Sequence, residues 1–129
     1  MAKWIPRLVM ALAAAHFAVF VLASTTFDDM AREGLWNTAP GEPRRAYELW
    51  FLLAGFGLLA LGTLSRRLVR DTGRLPAQLG WYLLAIGVPL LVLYPVSGAP
   101  GLVLVGVLAL LTSRQQAKAA GPARDPRGR

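Results

Sequence analysis

The feature that most constrains this chain is where its charges are missing. After Arg7 no acid or base appears until Asp28, and the residues from Leu75 to Ser113 carry none at all. A helix crossing about 30 Å of hydrocarbon needs roughly 20 mainly apolar residues. Inside lipid the backbone must satisfy its own hydrogen bonds, so helices or closed barrels are the only spanning structures. Composition agrees: 55% of the 129 residues are hydrophobic and 16% charged, against about 25% charged in soluble domains. A disordered chain is excluded. Cys is absent and His occurs once, which removes a disulfide scaffold, a Cys-ligated metal or redox site and a His-cluster metal site. No cofactor is expected.

Four segments qualify as spans: about residues 5–25, 46–65, 75–94 and 100–118. The first contains one polar intruder, His16, and the second one charge, Glu48. Pro76 suits the first turn of the third span, where a missing N–H costs nothing. The fourth is uncharged only to Ser113, and continues with Arg114 and Lys118 snorkelling to the interface. Gly121-Pro122 is its expected stop. Lys3 and Arg7 ahead of an apolar run fit a signal peptide, but a run of about 20 residues exceeds the usual 7–15. Retention as a true span is expected. The expected fold is therefore all-α: a four-helix transmembrane bundle over residues 1–120, followed by a disordered basic tail, 121–129.

Orientation follows from Lys and Arg. The N-terminus, the second loop (Arg66, Arg67, Arg70, Arg74) and the C-terminal segment hold eleven bases; the other side holds Arg32, Arg44 and Arg45. Both termini should be cytoplasmic, in an inner membrane. Trp4 and Trp81 fall near the inner interface, and Trp36, Trp50 and Tyr94 near the outer. The net charge of +7 then reflects topology and contact with anionic lipid headgroups, with no nucleic acid implied. The expected partners are the bilayer, those headgroups, and a second copy or another membrane protein.

The first loop, Thr26 to Arg45, holds four of the seven acids: Asp28, Asp29, Glu33 and Glu42. Thr25 or Thr26 can cap a short outer interfacial helix whose first turn holds Asp28 and Asp29, where the dipole favours acids. Gly34 can end it. Phe27, Met30, Leu35 and Trp36 would form its apolar side, and Pro43 starts the second span. The loop is either a solvated connector or a lid built on Asp28, Asp29, Arg32 and Glu33.

At 100° per residue, Glu48, Gly55 and Gly62 share one face of span two, and Gly80, Gly87 and Tyr94 share one face of span three. Small residues at this spacing let membrane helices approach closely. If the two stripes met, Glu48 and Tyr94 would converge near the outer surface. In span one Ala11, Ala14, Ala15 and Ala18 form a small-residue stripe, with His16 on nearly the opposite side, facing the bundle. An ionisable group within hydrocarbon is a functional candidate by default. The alternative for His16 is a neutral imidazole bonded to a backbone carbonyl; for Glu48 it is a pair with Arg44 or Arg45. A bridging water is the easier link between the two. The candidate polar site is thus His16, Glu48, Tyr94 and Ser97 with the loop residues Asp28, Asp29, Arg32 and Glu33.

Several segments resemble a family of small bacterial membrane proteins catalogued as a domain of unknown function, number 6463. They are His16 in the first span, Gly34-Leu-Trp-Asn-Thr38, Arg45-Ala-Tyr-Glu-Leu-Trp-Phe51, Leu79-Gly-Trp81 and Pro95-Val-Ser-Gly98, within residues 4 to 112. The family favours an aromatic after the Ser-Gly turn, where this chain has Ala99-Pro100. The resemblance implies four spans and no particular activity. Three functions compete. A structural or accessory component acts through helix contacts. An outward-opening pocket binds or transforms a lipid-like or small apolar molecule, using His16 and Glu48 as acid and base, although no nucleophile–base–orienter set is visible. A small proton-coupled transporter is opposed by the strong charge bias, which fixes one orientation.

Overall fold

Helix signals in the sequence set most of the boundaries. The computed structural model describes residues 2–39 and 41–120; the expected tail 121–129 and its Gly121-Pro122 stop lie outside them. The described residues form five helices and no strand: α1 (Ile5–Ala23), α2 (Thr26–Arg32), α3 (Pro43–Thr72), α4 (Ala77–Leu93) and α5 (Ala99–Ala119). Prolines open three of them, at Pro6, Pro43 and Pro100, where their fixed φ suits a first turn. Two helices, α1 and α3, are long and apolar enough to cross a membrane; α4 is apolar but has only 17 residues.

Two boundaries differ from expectation. The second helix does not stop near residue 65. It runs 30 residues to Thr72, so Arg66, Arg67 and Arg70 stand on a helix, not in a loop. The cause is that Gly62, Ser65 and Val69, buried on one face, continue the helical spacing past the arginines. Gly73 ends the helix in the left-handed region, φ 69°, as such a stop requires. Pro76, expected in a first turn, is instead the extended residue before α4, and Tyr94 stands just past its end.

The helices pack as two antiparallel pairs, α1 with α3 and α4 with α5; α1 and α5 meet along a narrower seam, and α2 rests on α3. Although consecutive, α3 and α4 do not pack side by side. Glycines permit both close crossings. A Cβ on Gly62 would lie 2.8 Å from Met10 Cγ, and one on Gly80 would lie 2.9 Å from the Gly106 carbonyl oxygen. The stripe of span two therefore faces α1 and that of span three faces α5. They do not meet, and Glu48 and Tyr94 do not converge. The core joins Ile5, Val9 and Ala13 of α1 to Leu58 and Val69 of α3, Leu79 and Leu83 of α4, and Leu102, Val105 and Ala109 of α5. Beyond Ala13 no residue of α1 is buried, so its second half is covered on one side only.

Candidate functional site

His16 projects from the half-covered part of α1 onto α3. Its Nε2 lies 2.7 Å from the Phe51 carbonyl oxygen. That oxygen can only accept, so Nε2 carries a proton and donates it. The imidazole also stacks on the Phe51 ring, centroids 3.7 Å apart and planes 16° from parallel. Gly55 makes the approach possible, because its Cβ would lie 3.1 Å from His16 Cδ2 and 2.9 Å from Phe17 Cε1.

One turn nearer the loop, Glu48 has its own partners. Ser24 Oγ donates to it at 2.6 Å and Arg44 Nε at 3.2 Å, and its side chain is 12% exposed. Arg44 also donates to Thr25 Oγ1 at 2.9 Å. The end of α1 is thereby clasped to the start of α3. The carboxylate lies against the first turn of α2 at Thr26, whose hydroxyl is buried and completes no hydrogen bond. Thr25, placed to cap α2, makes no side-chain cap bond, since its hydroxyl is turned to Arg44.

Among the described residues, Glu33 is the one loop acid with an ion-pair partner. Arg45 grips it with two parallel bonds, 2.6 and 2.7 Å, and donates to the Thr38 carbonyl at 2.9 Å. The Arg45 guanidinium holds the Glu33 carboxyl below the usual carboxylate range. Asp28, Asp29 and Arg32 are exposed and flank the short helix as dipole partners. Its expected apolar side is only partly inward: Met30 is buried, whereas Phe27, Leu35 and Trp36 are exposed. Gly34 follows the helix with φ 95°, and Leu35 and Asn37 also have positive φ.

Tyr94 and Ser97 lie apart from this cluster, between α4 and α5. Ser97 Oγ donates to the Tyr94 carbonyl at 2.7 Å and accepts from the Ala99 amide at 3.2 Å, closing the turn. The Tyr94 ring is exposed. The structure thus groups Glu48 with Ser24, Thr25 and Arg44, sets His16 beneath them on Phe51, and leaves Tyr94 and Ser97 elsewhere. Ser24 and the Phe51 carbonyl were not singled out in the sequence, although Phe51 is three residues from Glu48 on the same helix face and so signals proximity.

Between α1 and α3 a hollow of about 230 Å³ opens beside this cluster, walled by Val19, Phe20, Tyr47 and Phe51 and rimmed by Arg44 and Glu48. It is smaller than most ligand pockets, which start near 300 Å³. Among the described residues no group of three His, Cys, Asp or Glu side chains is placed to hold a metal.

The sequence profile of the Family of unknown function (DUF6463) matches residues 1–117. The chain belongs to this family. For this DUF6463 protein the match runs from the first residue through nearly all of α5. No curated protein and no solved structure matches the chain.

Proposed function

We propose that this DUF6463 protein is a four-span inner-membrane protein, with both termini cytoplasmic, acting as a structural or accessory component through helix contacts. The observation that carries the reading is how its polar groups are used. His16, Glu48 and Arg44 each bind across the α1–α3 crossing or its loop, while Ala11, Ala14, Ala15 and Ala18 lie uncovered along α1. A small-residue face open to lipid is what a second membrane helix needs for close approach.

The membrane setting is supported by how α1 and α3 display their apolar surface. Only 22% of each apolar window is buried, whereas a core helix of a soluble domain is mostly covered. Val21, Leu22, Leu64, Val92 and Leu93 all point outward, and such a surface calls for an apolar solvent. Ile5, Val9 and Ala13 belong to the shared core, so cleaving α1 as a signal peptide would strip that core. Trp4 and Trp81 toward one end and Trp36 and Trp50 toward the other, all exposed, fit interfacial belts.

The chain has no Cys, so single-Cys variants are clean probes. Ala14→Cys and Ala18→Cys, oxidised in native membranes, should give one discrete cross-linked species, with itself or with one partner. Leu64→Cys on the far side of α3 should not. Cross-linking no greater at the alanines than at Leu64 would refute the reading. The hollow beside Glu48 favours a second one, retention of a small apolar molecule. Mass spectrometry of the detergent-purified chain tests it, because such a molecule would be lost from Glu48→Gln.

A further inference from the structure

We propose that the hollow between the start of α4 and the end of α5 is a binding site for the phosphate of an anionic phospholipid, gripped by Arg74 and Arg114. The proposal rests on the membrane reading above and deepens it. The hollow measures about 290 Å³, and Arg74, Leu75, Ala77, Ser113 and Arg114 are among its walls.

Charge is the first argument. From Leu49 to Ala120 the one acid is Asp71, and it faces Arg67 and Arg70 at 3.8 and 3.6 Å. Among the described residues neither Arg74 nor Arg114 enters an ion pair, unlike Arg44, Arg45, Arg67 and Arg70. Both arginines line one hollow, and an anion between them would neutralise two like charges at once. Guanidinium forks match phosphate oxygens in bidentate geometry.

Rigidity is the second argument. Gln116 accepts from the Leu75 amide at 2.9 Å and donates to the Gly73 carbonyl at 3.1 Å, pinning the α3–α4 connection to α5. Thr72 Oγ1 donates to the Leu68 carbonyl at 2.7 Å and accepts from the Arg74 amide at 3.2 Å. The backbone that carries Arg74 is therefore held from both sides, and Leu75 beside it is buried. The backbone of such a site loses little freedom on binding, and the ordering cost falls on the two side chains.

Position selects a lipid as the source of the phosphate. Arg74 and Arg114 bracket the uncharged stretch Leu75–Ser113, so they stand where hydrocarbon gives way to headgroups. Acyl chains can follow the exposed apolar flank of α4, including Trp81 and Tyr82.

The test is native mass spectrometry of the full chain in a neutral detergent, titrated with phosphatidylglycerol, phosphatidylcholine or inorganic phosphate. Phosphatidylglycerol should bind the wild type better than phosphatidylcholine, and R74Q/R114Q should weaken it about tenfold or more. R66Q/R67Q, which removes equal charge outside the hollow, should leave it nearly unchanged. Equal loss in both double variants, or no loss in R74Q/R114Q, overturns the site. Inorganic phosphate binding as tightly as phosphatidylglycerol overturns the lipid source. R114Q alone leaves the α3–α4 connection untouched and decides the matter if the double variant does not fold. Recovery of the chain without detergent would defeat the membrane reading separately, whatever the arginine variants do.

Discussion

Replacing Gly55 by Ala adds one methyl group at the crossing that holds His16. The new Cβ would lie 2.9 Å from Phe17 Cε1, 3.1 Å from His16 Cδ2 and 3.2 Å from Phe17 Cζ. None of these can retreat freely. The Phe17 ring is set edge-on to Phe56, and the imidazole is held by both its bond to Phe51 and its stack on that ring. Overpacking of this kind costs about 1–3 kcal/mol. If the helices separate enough to break the His16 bond, about 0.6 kcal/mol more is lost, a typical value for interhelical bonds in membranes. Against this, Ala is the better helix former by about 1 kcal/mol. The net expectation is destabilisation by roughly 0.5–2.5 kcal/mol if the bond breaks.

Gly57 supplies the control. It lies on the same helix two residues on, and a Cβ there meets nothing within 4 Å. Gly57→Ala should be neutral or stabilising by up to about 1 kcal/mol. Both variants would be unfolded reversibly in mixed micelles, with circular dichroism as the signal. In a His16→Ala background Gly55→Ala should cost less, because one clashing ring is gone. Equal shifts for Gly55→Ala and Gly57→Ala, or a more stable Gly55→Ala, would refute the packing argument.

Other consequences follow from the same geometry. His16→Ala should cost about 1–2 kcal/mol through the lost bond and ring stack, measured in the same micelles; an unchanged midpoint would show that the contact contributes nothing. The Glu33–Arg45 bridge has a pH signature. Since the folded-state pKa of Glu33 is depressed, the stabilisation is complete above the ordinary carboxylate range and is lost as pH falls through the lower folded value. Hydrogen-exchange protection of the Leu35 and Trp36 amides, which bond the Met30 and Gly34 carbonyls, should therefore hold from neutral pH into mild acid and drop only below that range. Glu33→Gln should lower protection at neutral pH and abolish the acid step; a drop already near pH 6.5 would contradict the assignment. Gln116→Ala should cost about 1–2 kcal/mol by removing two hydrogen bonds and should speed proteolysis after Arg74. An unaltered cleavage rate would mean the connection is held by packing alone.

What could be read from the sequence depended on the range of the interaction. Local signals were legible. Pro43 opens α3, Gly34 follows α2 in a left-handed conformation, and Glu48 pairs with Arg44 at the i,i+4 spacing of one helix face. The glycine stripes were recognisable as contact surfaces, but periodicity assigns a face and never a partner. Gly55 and Gly80 carry the same signal, yet one receives α1 and the other α5. The imidazole-to-carbonyl alternative for His16 was foreseeable as chemistry, whereas Phe51 as its acceptor was not. Any carbonyl on any facing helix presents the same group. The arginines from 66 to 70 misled for a different reason. Charge marks where a segment leaves an apolar setting and does not end a helix, and the buried face of Gly62, Ser65 and Val69 carries α3 onward past the arginines.

That extension bears on how the assembly is joined. Since α3 and α4 do not pack side by side, the two helix pairs are linked through space by the α1–α5 seam, where Leu12 Cδ2 would lie 3.1 Å from a Cβ on Gly101. The other link is the connection after Thr72, where Val69 and Leu75 enter the shared core and Gln116 clamps the backbone. One pair can thus tilt against the other about that clamped connection only if the seam yields. The hollow lined by Arg74 and Arg114 lies at the clamp, and the one beside Glu48 lies at the opposite end of the α1–α3 pair. The two hollows thus lie at opposite ends of the assembly, and the one lined by Arg74 and Arg114 is the one beside the connection that joins the helix pairs.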